Sequence, residues 1–221
     1  RSVFLLLITP LISFPVGFAF HMPDPEFKKW KENDAKLRKQ GIPKSKRPRQ
    51  PERKSEYPTI PELGYKLIEK FKLNHKNIKI KCIFADALYG TKEFMDKTSD
   101  LYGGIQVISQ IRSNQKIHHG NEKAISVEKY FSDCPKTNQK LNLRGGKEVN
   151  VTFCFAQIFV KSHGKKRFVL ALKYENEKEF RYIVATALSW QPINILETYT
   201  LRWLIEVFFE DWKGYEGWNK L

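Results

Sequence analysis

An α/β fold carrying an inserted antiparallel β block is what this chain predicts, and three stretches predict it. Residues 78–111 read as strand, helix and strand in succession, the order of a crossover unit. Residues 149–185 are dense in β-branched and aromatic side chains broken by short polar turns, the texture of antiparallel sheet. Residues 193–213 carry apolar side chains at helical spacing.

The elements follow in order. Residues 3–20 are uncharged and mostly apolar, long enough in principle to cross a bilayer. Pro10 and Pro15 would break a lone helix in lipid, so one or two buried strands bent at proline is the favoured reading and a membrane segment the minority one. The single Arg1 ahead of it and the lack of an A-x-A site argue against a signal peptide. Residues 28–54 hold 12 Lys or Arg against Glu32, Asp34 and Glu52. The end of that stretch, Lys44-Ser-Lys-Arg-Pro-Arg-Gln-Pro-Glu-Arg-Lys54, has almost no apolar residue and reads as a solvated loop, either without special role or as a strip that follows phosphates.

A helix is expected over residues 61–71, with Pro61 and Glu62 in its first turn and Leu63, Leu67, Ile68 and Phe71 on one face. Residues 78–85 alternate and then become continuously apolar, as a strand entering a buried sheet does, and Asp86 follows at once. Tyr89-Gly90 marks a turn, Thr91 caps a short helix to residue 97, and residues 105–111 form the next strand. Beyond residue 116 come strands at 149–160, 167–174 and 180–185, with turns at 162–165 and 175–179.

Composition narrows the function. At 41% hydrophobic the chain can build a core, so wholesale disorder is excluded. Its formal charge of +15 calls for an anionic partner, of which nucleic acid is the commonest. Cys82, Cys134 and Cys154 form no C-x-x-C pair, which argues against a disulfide framework or a zinc site. His118 and His119 are adjacent and cannot face one ligand from one element, so they read as loop residues.

The last helix carries the chemistry. At about 100° per residue, Tyr199, Arg202, Glu206 and Lys213 share a stripe roughly 60° wide. Leu201, Leu204, Ile205, Phe208, Phe209 and Trp212 fall on the opposite face and should enter the core. A carboxylate flanked by an arginine and a lysine suits metal binding beside phosphate oxygens, whereas an Arg202–Glu206 surface pair at i,i+4 is the common alternative. Asp86, at the end of a strand, stands where α/β sheets place ligand-binding groups, although Asp is also a frequent turn residue. A strand-end and a helix-borne carboxylate, with a third, can hold two divalent cations about 3.5–4 Å apart for in-line attack on a phosphodiester.

At these residues the chain resembles a known family. Tyr199-x2-Arg202-x3-Glu206-x6-Lys213 matches the Y-(2)-R-(3)-E-(6)-K signature of the DDE-type bacterial insertion-sequence transposases called family four. Phe84-Ala-Asp-Ala-Leu-Tyr-Gly90 resembles the context of their second catalytic aspartate, and the strand around residues 107–114 is similar to the one that follows it. The resemblance implies an RNase H-like mixed sheet with flanking helices: a core over residues 1–115, a β-rich insertion over 116–186, and the C-terminal helix of the core over 187–221. It implies Asp86 and Glu206 as catalytic metal ligands, and Tyr199, Arg202 and Lys213 as DNA-binding residues. Two Mg²⁺ or Mn²⁺ ions, a homodimer, terminal inverted repeats and target DNA as partners, and a cytoplasmic, nucleoid-associated setting follow from it. The family's first aspartate has no counterpart: Asp24 lies in the turn Met22-Pro-Asp-Pro25, so the first core strand and its aspartate are expected before Arg1, both ends read as cut, and the chain is expected to be inactive alone. The family also stacks a flipped base on a tryptophan of the insertion; Trp190 lies near, with a core anchor as its preferred role. The competing readings are a non-enzymatic DNA-binding remnant, and a basic RNA-binding or membrane-associated protein.

Overall fold

Proline positions shape the first element. Strands β1 (Ser2–Ile8) and β2 (Ser13–Phe20) pair as an antiparallel hairpin with a bulge between Leu5 and Leu6, where Pro15 lies opposite Leu6 and has no N–H to donate. The turn is tied by the Thr9 hydroxyl, which accepts from the Ile12 amide at 3.0 Å. A computed structural model of the chain describes residues 1–118, 120, 123–144, 146 and 148–215, with the side chains of Lys213 and Tyr215 outside the description. Within it the hairpin is a separate two-stranded sheet. The expectation of buried strands is corrected: Val3 is buried, but Phe14, Phe18 and Phe20 are exposed. No described helix is long and apolar enough to cross a membrane.

Helix α1 (Pro25–Lys39) was not foreseen. It starts because the Asp24 carboxylate accepts from the Glu26 and Phe27 amides, so Asp24 is a helix cap. The basic stretch after it is partly paired: Arg47 meets Asp34 at 2.8 Å and Lys54 meets Glu26 at 2.7 Å. Helix α2 (Ile60–Asn74) has the expected proline in its first turn and opens with a capping box between Thr59 and Glu62, which the sequence reading over 61–71 did not include.

Among the described residues the main sheet has eight strands. They are β3 (Cys82–Phe84), β4 (Gln106–Ile111), β5 (Lys116–His118), β6 (Ile125–Ser126), β7 (Thr137–Asn142), β8 (Glu148–Val160), β9 (Lys165–Tyr174) and β10 (Arg181–Ala185). Their order is β3-β4-β10-β9-β8-β5-β6, with β7 also on β8. Helix α3 (Lys92–Leu101), capped by Thr91, links β3 to β4 in parallel; every other neighbouring pair is antiparallel. The strand expected over 78–85 shrinks to three residues. As the last strand of the sheet, β3 has one neighbour and stays half-buried. His118 lies on β5 rather than in a loop.

Strand β10 bonds directly to β4, so the β-rich block continues the core sheet. Alternation along β4 sorts two apolar layers. Val107 and Ile111 face the layer that contains Ile68 of α2, Phe94 and Met95 of α3, and Phe131 of α4 (Val127–Ser132). Ile108 faces the other layer, with Leu170, Leu172, Ile183, and Ile195 and Leu196 of α5 (Pro192–Thr200). Side chains as buried as Met95 or Ile108 contribute on the order of 1.5–3 kcal/mol each. This is a mixed α/β sheet flanked by helices on both faces, consistent with an RNase H-like fold. Helix α6 (Trp203–Tyr215) closes the described chain.

Candidate active site

The loop after β3 is held from several sides. The Ala85 amide donates to the Ile108 carbonyl at 2.9 Å, the Ser109 hydroxyl donates to the Asp86 carbonyl at 2.8 Å, and the Asp86 carboxylate accepts from the Ala87 amide at 2.9 Å. Asp86 therefore caps the single turn Ala87–Tyr89 while its side chain stays exposed. Gly90 is required where the loop crosses β4: a Cβ there would sit 1.9 Å from the Gln110 carbonyl oxygen. Burial, and secondarily the charge of Asp86, push the Tyr89 phenol up to about 12.

A buried polar network fastens the same loop to the β8–β9 turn. Arg167 donates through Nε to His163 Nδ1 at 3.0 Å. That acceptor role leaves the proton on Nε2, which donates to the Gly90 carbonyl at 3.2 Å. Arg167 also pairs with Asp96 of α3, which Lys165 reaches at 2.9 Å. Burial first, then the Arg167 charge, lower the His163 pKa and keep the ring neutral. Nothing in the sequence pattern announced this network, because Gly90 and Asp96 lie 73 and 71 residues from the His163 and Arg167 they meet.

The C-terminal segment differs from the expected single helix over 193–213. The amides of Leu201, Arg202, Leu204 and Ile205 bond to carbonyls three residues back, at 3.0–3.2 Å, so α5 ends at Thr200 and α6 begins at Trp203. A uniform helical rotation therefore fails across the break: Tyr199, Arg202 and Glu206 still border one pocket, but Tyr199 turns into the core and not onto an open face. Tyr199 is 2% exposed, packs among the apolar residues of the second layer, and its hydroxyl accepts from the Gln110 amide. Arg202 is half-buried, and Glu206 is exposed. The Lys213 side chain lies outside the described residues. Of the predicted apolar face, Phe208, Phe209 and Trp212 pack around Phe4 of β1, with ring centroids 5.1–5.6 Å away. Trp190 packs against the second apolar layer, in keeping with a core anchor.

Arg202 is the link between the parts. Its Nη1 lies 2.8 Å from Glu206 Oε1, and its guanidinium carbon lies 5.9 Å from the centre of the Tyr199 ring. Burial alone would lower the Arg202 pKa; Tyr199, Glu206 and Asp86 outweigh it and raise it. Burial raises the Tyr199 phenol, with Gln110 and Arg202 opposing and the Asp86 charge adding to the rise. Asp86 thus acts electrostatically on both Tyr199 and Arg202, and Glu206 touches Arg202 directly. The junction of α5 and α6 also opens a pocket of about 240 Å³, lined among others by Tyr174, Arg181, Tyr199, Arg202, Trp203 and Glu206.

The two carboxylates are hard oxygen donors of the kind Mg²⁺ and Mn²⁺ take. Among the described residues no three His, Cys, Asp or Glu side chains converge on one metal position. Thiolate chemistry does not compete: Cys82 is pushed up to about 12, chiefly by burial, and Cys154 likewise, by burial and then Cys134.

Comparison with protein families matches residues 39–221 to the family described as Transposase DDE domain. Comparison with curated proteins gives no match. The match spans most of the chain, including β3, β4, the β-rich strands and the segment with Arg202 and Glu206, and the chain belongs to the DDE transposase family.

Proposed function

We propose that this chain is the catalytic part of an insertion-sequence transposase of the Y-R-E-K type, cutting DNA at transposon ends and joining the freed 3′ hydroxyl to target DNA. The observation that carries the reading is the position of Arg202, paired with Glu206 at 2.8 Å and set over Tyr199, whose hydroxyl meets Gln110 of β4 next to the Ser109 that donates to the Asp86 carbonyl. The spacing of Tyr199, Arg202, Glu206 and Lys213 supports the narrower family.

In this reading Asp86 and Glu206 hold a divalent cation, Mg²⁺ or Mn²⁺, and a third oxygen donor comes from outside residues 1–221. The cation would supply Lewis-acid stabilisation of the phosphodiester under attack and a nucleophilic water. Arg202 binds a phosphate oxygen through its planar fork. Tyr199, buried beneath it, orients that fork. Lys213 contributes charge along the DNA backbone, terminal repeats and target DNA are the partners, and the working form is a homodimer.

The test is Mg²⁺-dependent nicking of supercoiled plasmid by the protein extended through its upstream reading frame. Nicking should stop with EDTA and fall by about 10²-fold or more in Glu206→Ala. The 221-residue chain alone should bind DNA without nicking it. Mg²⁺-dependent nicking that survives Glu206→Ala would overturn the assignment. The second reading, a DNA-binding remnant without catalysis, draws on the lack of a three-carboxylate cluster among the described residues; it predicts binding and no nicking from the extended protein.

A further inference from the structure

The pocket at the α5–α6 junction contains a second guanidinium that the helix signature does not include. Arg181 opens β10, and Tyr174 closes its antiparallel neighbour β9. The Arg181 guanidinium carbon lies 5.8 Å from the centre of the Tyr174 ring, as that of Arg202 lies 5.9 Å from Tyr199. Arg181 pairs with Glu177 four residues back, as Arg202 pairs with Glu206 four residues on. Both arginines, both tyrosines and Glu206 line one cavity, and Glu177 holds Arg181 from beside it.

The arrangement solves the two problems of an anion site. Stacking on a ring fixes each guanidinium before a ligand arrives, which reduces the entropy lost on binding. Each glutamate meets its guanidinium through one nitrogen, which leaves further N–H donors for a phosphate oxygen. At about 240 Å³ the cavity is smaller than the roughly 300–1,000 Å³ of sites that enclose a drug-sized molecule, which suits a phosphodiester group and not a whole nucleotide.

We propose that Arg181 and Arg202 together grip one DNA phosphodiester in this pocket, each guanidinium exchanging its glutamate, Glu177 or Glu206, for the phosphate. The proposal rests on the reading of the chain as a transposase that engages DNA. It adds to that reading a contact from β10, which ties the β-rich part of the sheet to the DNA held at Arg202.

Fluorescence anisotropy of the 221-residue chain with a labelled DNA duplex, across a salt series, tests it. Arg181→Ala should weaken binding about tenfold and reduce the slope of log affinity against log salt by about one, the loss of one phosphate contact. Arg181→Lys should keep the slope and recover part of the affinity, since the charge remains and the fork is lost. Glu177→Gln should tighten binding about threefold, because it frees the fork while keeping an oxygen for the Tyr174 amide that Glu177 now accepts from. A misfolded protein would not bind more tightly, so this variant separates the proposal from a folding defect. If the parent chain binds DNA while Arg181→Ala matches it in affinity and slope, or Glu177→Gln weakens binding, the pocket assignment fails and the DNA reading stands. A parent chain that does not bind DNA at low salt would remove both.

Discussion

The two carboxylates assigned to the metal stand on supports of opposite kinds. Asp86 sits in a loop pinned by polar contacts from β4 and the β8–β9 turn, through Ser109, the close passage of Gly90 over Gln110, and His163. Glu206 sits on α6, just past a break in the helical ladder, and the aromatic contacts of that helix run to Phe4 of the separate hairpin. Directional hydrogen bonds fix a position; a cluster of rings fixes a face and tolerates sliding along it. Under the proposed metal role the labour divides: Asp86 would be the fixed reference of the site, and Glu206 the ligand that adjusts when DNA or a cation arrives.

The largest test removes the reference. Arg167→Ala would leave Asp96 without one of its two cations and His163 Nδ1 without its donor, in a position where Arg167 is 2% exposed. Loss of a buried charged partner costs about 3–5 kcal/mol, which urea unfolding measures. Hydrogen exchange should quicken at residues 86–90 and stay unchanged in α6 if the two supports are independent.

The next test acts on the other support. Phe4→Ala should cost about 2 kcal/mol, less than the roughly 3–5 kcal/mol of a fully buried phenylalanine because Phe4 is half-buried. Exchange should then quicken in α6 and leave β3 and β4 as they were. Equal loosening of both regions by either variant would show one support and not two.

The smallest effect is a pH step. The folded pKa of His163 is depressed, so the unfolded chain binds the proton first as pH falls. Stability on this account is constant above about pH 6.5, the ordinary histidine value, and declines from there down to the lower folded value. Arg167 donates to the ring, the charges of Asp96 and Glu93 act on it, and Lys92 lies near the turn beside it. Asp96 is also depressed: burial, which would raise its pKa, is outweighed by Lys165 and Arg167, so its contribution is lost only below the usual carboxylate range. His163→Gln should erase the step that starts near pH 6.5, as read from midpoints of urea unfolding between pH 4 and 8.

Where local pattern decides structure, the sequence was legible. Pro61 with Glu62, Thr91, the β-branched run of β8 and the turn at Gly164 announced their elements because the residues that start, cap or turn them are near in sequence. The Asp86 loop and the Arg202–Glu206 pair were legible from spacing. The break at Leu201–Arg202 was not, because a helix projection assumes one rotation per residue and has no term for the pull of Gln110 on Tyr199. The His163 network and the Arg181–Tyr174 half of the pocket were hidden for the same reason: their partners meet only after β4, β9 and β10 align. Helix α1 was masked by its charge, since its cap at Asp24 was weighed as a catalytic candidate and not as a helix start.

The central claim, that Asp86 and Glu206 serve one metal position, is most directly tested by Fe²⁺-mediated cleavage of the full protein with ascorbate and peroxide. Fe²⁺ takes the same oxygen donors as Mg²⁺ and cuts backbone close to where it binds. The account predicts two clusters of cuts, one beside residue 86 and one beside residue 206, both suppressed together by excess Mg²⁺ and both lost in Glu206→Ala. Cuts confined to one of the two segments, or cuts at residue 86 that persist unchanged in Glu206→Ala, would contradict it.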